Sequence, residues 1–203
     1  MTNELTLSAL IASRICHDLI SPIGAINNGL ELLAMTSSAG GDEIGLIRTS
    51  AASASDSLRF MRIAFGAASK TEMMGAKEVG SIASAHIQTQ RLTVEWRADQ
   101  HDLSRATAKL VLLMALTTAS AAPLGGVLSI QSADQGGFPY ETAVTGQKIA
   151  FSQQAAQALK GVADLTQLEP RYAAFALLAV LARTEGYAVD WSMSADAGRL
   201  TLR

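Results

Sequence analysis

A chain of 203 residues is long enough for one or two domains with a real core. Apolar residues make up 49% and aromatic ones only 5%, a folded rather than disordered composition packed largely by alanine, leucine and isoleucine. The formal net charge of −2 gives no electrostatic footprint for nucleic acid or anionic lipid, and the single cysteine, Cys16, excludes an internal disulfide and any metal site built on several thiolates.

The first predicted helix covers residues 5–34. Its apolar stripe is Ile11, Ile15, Leu19, Pro22, Ile26, Leu30 and Leu33, at steps of 4, 4, 3, 4, 4 and 3. Opposite runs a polar stripe of Arg14, His17, Ser21, Gly24, Asn28 and Glu31, small just beyond the histidine. Pro22 removes the N–H that would bond the Asp18 carbonyl, so a bend is expected there. Residues 36–41 form a loop, and Asp42 is a plausible cap for a second helix. That helix carries a heptad stripe of Ile47, Ala51, Ala54, Leu58, Met61, Phe65 and Ala68. Two long helices with a short connection form an antiparallel hairpin, whose stripes need a second copy or another domain to cover them. A homodimeric four-helix bundle is therefore expected, with the hairpin domain at residues 1–72 and a second domain at residues 73–203.

After a junction of small residues the pattern changes. Residues 77–90 read as a helix and residues 92–97 alternate as a strand. Asp102 can cap a helix running to Ala122, which Pro123-Leu124-Gly125-Gly126 stops. Strands are expected at residues 127–132 and 142–151, with a glycine-containing loop at 134–140 between them. A helix at 153–160 follows. Glu169-Pro170 opens an apolar helix to Arg183, with proline at the favoured first position. A final hairpin pairs residues 187–193 with 199–203. The second half is thus α+β, with helices on one face of a mixed sheet. No run of about 18 apolar residues is present and no basic segment precedes an apolar block, so neither a membrane span nor an export signal is expected, and the expected location is cytoplasmic.

The residue most open to chemistry is His17, exposed by its helical phase. Asp18 follows it directly, and a carboxylate there can hold a ring N–H or favour the imidazolium. His86 lies mid-helix among small and polar residues and His101 flanks the expected cap, so neither is assigned chemistry. Cys16 has a helix-interior phase and no activating base. The three histidines match no metal spacing, and no phosphate-cradling glycine loop or serine-nucleophile elbow is present.

Ser13-Arg14-Ile15-Cys16-His17-Asp18-Leu19-Ile20-Ser21-Pro22 resembles the phospho-accepting histidine box of two-component sensor kinases. The extension from Ile23 to Leu33, and the later Arg59-Phe60-Met61-Arg62-Ile63-Ala64-Phe65-Gly66, are similar to the dimeric bacterial histidine phosphotransferases of the ChpT type. The resemblance implies a dimerising hairpin joined to a degenerate kinase ATPase-like domain that does not use ATP. An active kinase domain of this kind carries an asparagine on its first long helix to hold Mg²⁺, but the asparagines here are Asn3, Asn27 and Asn28. Asp134-Gln135-Gly136-Gly137 faintly resembles an adenine-side loop and is equally explained as a turn.

On this reading His17 accepts a phosphoryl group from the aspartate of a receiver domain, such as that of a hybrid histidine kinase, and passes it to a response-regulator receiver. The receiver brings Mg²⁺, and the chain itself needs no cofactor. Arg14 can steer the acidic receiver pocket, Ser21 and Gly24 leave room for close approach, and Asn28 adds a polar contact at the edge. Two alternatives stand beside this one: an active ATP-dependent sensor kinase core, and a non-enzymatic scaffold that binds receivers or kinases.

Overall fold

The computed structural model describes residues 3–35, 41–98, 101–132 and 140–203. Helix α1 spans Asn3–Met35, continuing through Pro22, and packs on α2, Gly41–Ala64, to form the hairpin. Then follow β1 (Met73–Met74), α3 (Ala76–Ile87), β2 (Leu92–Trp96), β3 (Leu103–Ser104), α4 (Arg105–Ala119), β4 (Gly126–Ser132) and β5 (Tyr140–Gly146). The chain ends with α5 (Gln153–Lys160), a 3-10 turn (Pro170–Tyr172), α6 (Ala173–Thr184), β6 (Val189–Met193) and β7 (Ala197–Leu202).

The main sheet has five strands in the order β2-β4-β5-β7-β6, with β2 and β4 parallel and every other pair antiparallel. Alternation sets its faces. Leu92, Val94, Leu128, Ile130, Val144, Leu200 and Leu202 are buried under the helices, while Thr93, Thr145 and Arg199 are exposed on the other face. The short β1 and β3 pair separately beside α4. The core is continuous with the hairpin, because Phe60, Ile63 and Ala64 of α2 and Leu7 of α1 belong to the same buried cluster as α4 and α6. The buried Lys109 ammonium on α4 also reaches across, donating to the Gly66 carbonyl just past α2 at 2.7 Å, and burial lowers its pKa.

Several boundaries differ from the sequence reading for physical reasons. The cap of α4 is Ser104, not Asp102; its hydroxyl accepts the Thr107 N–H at 3.1 Å, and pairing of β3 with β1 holds it there. Strand β5 ends at Gly146, where the chain turns away and Lys148 takes φ 56°. Pro170 opens a 3-10 turn before α6 instead of the α-helix itself. At Gly125 and Gly126 the backbone takes φ 91° and 145°, and a Cβ on Gly126 would lie 1.9 Å from the Thr145 carbonyl oxygen. Only glycine fits that close approach of two strands. Of the expected loop 36–41, residues 36–40 fall outside the described residues, as does the Asp134-Gln135-Gly136-Gly137 stretch, while Gly41 already belongs to α2.

The hairpin departs most from expectation. On α2 the buried stripe is Ser50, Ala54, Ser57, Met61 and Ala64, whereas Ala51 and Leu58 of the expected heptad are exposed. Small side chains bring the helices close, as at Gly29, where a Cβ would lie 2.6 Å from Ile47. Of α1 only Leu7 and Gly29 are buried, and the expected stripe from Ile11 to Leu33 is half-buried, with Leu30 exposed. One hairpin therefore leaves apolar surface open: Ile20, Ile23 and Leu30 follow steps of 3 and 7 along α1, and Ile44 and Leu58 lie along α2. Contrary to the expectation from residue runs, α1 is also long and apolar enough, by length and composition alone, to cross a membrane.

Candidate active site

His17 stands at mid-length on α1, with 84% of its side chain exposed. The neighbouring groups are turned inward. Asp18 is only 17% exposed and Arg14 22%. The His17 Nδ1 lies 3.2 Å from Asp18 Oδ1, and the Arg14 Nε donates to Asp18 Oδ2 at 2.6 Å. Arg14 and Asp18 meet because residues four apart share a helix face. A terminal guanidinium nitrogen of Arg14 also donates to the Arg171 carbonyl, in the 3-10 turn, at 3.1 Å. An ionised carboxylate only accepts hydrogen bonds, so the proton of a neutral His17 sits on Nδ1 and the Nε2 lone pair is free.

Beside this triad opens a cleft of about 590 Å³ between the hairpin and the α/β layer. Arg14, His17, Asp18 and Ser21 form one wall, and His86, Arg91, Leu116 and Ser120 stand on the other. His86 is thus brought to the same cleft as His17, which the sequence does not reveal. Its ring stacks on Phe60 with centroids 4.3 Å apart, and its Nδ1 is 3.2 Å from the Ser57 hydroxyl. The signal is weak in sequence, because Ser57 and Phe60 lie on another helix and look like surface and core of α2. Further along α1, Ser21 and Asn28 are exposed, and open space surrounds the position where Gly24 would carry a Cβ. Cys16 is exposed, not helix-interior: α1 is covered on too narrow a face to enclose it. His101 is exposed and lies away from the cleft's lining. Among the described residues no group of three or more His, Cys, Asp or Glu is placed to hold a metal.

Burial pushes the His86 imidazole below its ordinary pKa of 6.5; Asp18 pulls it up, Arg14 pushes it down and Asp56 pulls it up. Between the lowered folded value and 6.5 the unfolded chain binds more protons, so stability rises with pH in that window. His86 therefore contributes its stability fully above pH 6.5 and loses it as pH falls through the folded value. Unfolding by urea across this range is expected to show a flatter pH slope in His86→Gln than in wild type. Equal slopes would assign the dependence to other groups.

The chain belongs to the histidine phosphotransferase family: residues 76–197 match the family model described as the histidine phosphotransferase C-terminal domain. Among individual proteins, it is 41% identical over 130 residues to the protein phosphotransferase ChpT of Brucella abortus (strain 2308). That alignment covers 64% of this chain and 62% of the Brucella protein, so it spans less than two thirds of the relative's length. A solved structure described as a 1.7 Å bacterial phosphotransferase is 30% identical, with a TM-score of 0.85, over 100% of this chain and 98% of that one.

Proposed function

We propose that this chain is a phosphorelay intermediate, taking a phosphoryl group from a receiver-domain aspartate onto His17 and handing it to a second receiver. The observation that carries the reading is the pairing of an 84% exposed imidazole with a carboxylate on its Nδ1 side. The Nε2 lone pair forms the N–P bond as the P–O bond to the receiver's aspartate breaks, and that carboxylate leaves with the electron pair. The ring is cationic until its Nδ1 proton departs, and Asp18 faces that charge. Phosphoryl transfer depends mostly on positioning and on neutralising the equatorial oxygens. Mg²⁺ is expected to arrive in the receiver's acidic pocket, since Asp18 is the one carboxylate among the described residues that line the cleft, and it is already engaged by Arg14. Ser21, Gly24 and Asn28 extend the surface onto which the receiver docks. Donor and acceptor would be the receiver of a hybrid histidine kinase and response-regulator receivers.

The absence of asparagine from α4 favours transfer without ATP over an active kinase core. The test is incubation with a labelled phospho-receiver: the chain should gain an acid-labile, alkali-stable label, and micromolar Mg²⁺-dependent ATP binding would instead favour the kinase. A receiver that binds tightly yet leaves no label would favour the scaffold.

The division into a hairpin at 1–72 and an ATPase-like layer at 73–203, and a cytoplasmic location, belong to the same reading. So does the dimer. Arg14, His17 and Asp18 at mid-helix make insertion of α1 in lipid costly, and a second hairpin covers Ile20, Ile23, Leu30 and Leu58 at less cost. In Leu30→Glu two carboxylates would face a desolvated seam, weakening dimerisation by roughly 30-fold or more, equivalent to about 2 kcal/mol. Sedimentation should show wild-type dimers and variant monomers at the same micromolar concentration. A monomeric wild type would remove the bundle from the proposal.

A further inference from the structure

We propose that Arg14 is a positioning residue for His17 and that the turn Pro170–Tyr172 of the α/β layer holds it in place; this rests on the phosphotransfer reading. The geometry divides the two oxygens of Asp18 between two partners, Oδ2 taking the Arg14 Nε at 2.6 Å and Oδ1 facing the His17 Nδ1 at 3.2 Å. A lone carboxylate on a helix surface would rotate, and its hold on the ring would average away. Arg14 fixes the carboxylate plane, but an arginine on the same helix is itself flexible. Its second acceptor is the Arg171 carbonyl at 3.1 Å, on a different structural layer.

That carbonyl belongs to a segment with attachments of its own. Pro170 opens the turn, and the Glu169 carboxylate pairs with the Arg171 guanidinium at 2.9 Å. The guanidinium lies 5.0 Å from the Tyr172 ring centre, Tyr172 packs edge-on against Phe175 at 5.8 Å, and Phe175 against Phe151 at 5.4 Å. The turn is therefore fastened to the core, and through Arg14 and Asp18 the core sets where the proton of His17 sits. Exposure separates this role from docking: a partner arriving at the 84% exposed histidine meets an arginine that is 22% exposed and directed inward. Lysine cannot substitute, because one ammonium cannot reproduce the fork that reaches both acceptors.

The experiment measures label transfer from a phospho-receiver at varied receiver concentration, using wild type, Arg14→Gln and Arg14→Lys in the full chain. Both variants are expected to lower the saturating rate about 10- to 100-fold while the half-saturating receiver concentration changes less than about 2-fold. Nitrogen-15 spectra of the unphosphorylated chain should show His17 protonated at Nδ1 in wild type, with the proton redistributed to Nε2 in both variants. In an Asp18→Asn background the Arg14 substitution should add almost nothing, because the two act in series. Restoration of wild-type rate by lysine, or a raised half-saturation at unchanged saturating rate, would make Arg14 a docking charge and overturn the inference. No label on wild type would instead end the phosphotransfer reading, and the spectra would still report on the Arg14 link.

Discussion

Replacing His17 with glutamine is expected to abolish acid-labile labelling from a phospho-receiver without measurable loss of fold. The side chain is 84% exposed, so substitution there should change stability by no more than about 0.5 kcal/mol. The amide keeps polarity and similar length, and it can still approach Asp18. It has no lone pair able to form a stable N–P bond, so transfer should fall to the background of the assay, at least about 10³-fold. His86 provides the internal control. It shares the cleft but is clamped by Phe60 and Ser57, and His86→Gln should still take label at His17. Label surviving in His17→Gln and disappearing in His86→Gln would reverse the assignment of acceptor.

Phe60→Ala should have the largest effect on stability. Phe60 is 0% exposed, and it joins α2 of the hairpin to α3 through its stack on His86. Removing a buried aromatic ring costs roughly 3–5 kcal/mol, the lost transfer energy plus the cavity left behind. For a chain of this size each kcal/mol lowers the melting temperature by about 2–4 °C, so a decrease of roughly 6–20 °C is expected in a calorimetric scan. The cavity also frees the wall of the cleft that carries His86, so label transfer should fall under conditions where the variant is still folded. A stable variant with normal transfer would show that the hairpin and the layer are joined elsewhere.

Much of this architecture is legible in the residues because the signals are local and periodic. The long helices and the alternation of β2 follow from spacing, while the histidine box follows from the resemblance of residues 13–22 to a known motif. The core phase of α2 is hidden in sequence because Ser50 and Ser57, polar in composition, are buried, Ser57 facing His86 of α3 at 3.2 Å. Ser104 is masked in sequence by the more conspicuous Asp102, since the choice between caps depends on the pairing of Ser104 with Met73 of β1, far earlier in the chain. The cleft was hidden for a stronger reason. His86 and the Arg171 carbonyl reach the α1 site through tertiary packing, and no spacing rule relates residues on separate layers.

The bond from Arg14 to the Arg171 carbonyl joins groups 157 positions apart. During synthesis the hairpin emerges before the α/β layer that completes its core, with its histidine on the polar side of α1. The carbonyl that fixes Arg14 leaves the ribosome many seconds later, at a translation rate of about 5–20 residues per second. A nascent or truncated chain therefore displays the nucleophile before the far partner of Arg14 exists. The order of emergence separates having the acceptor residue from having it set for transfer.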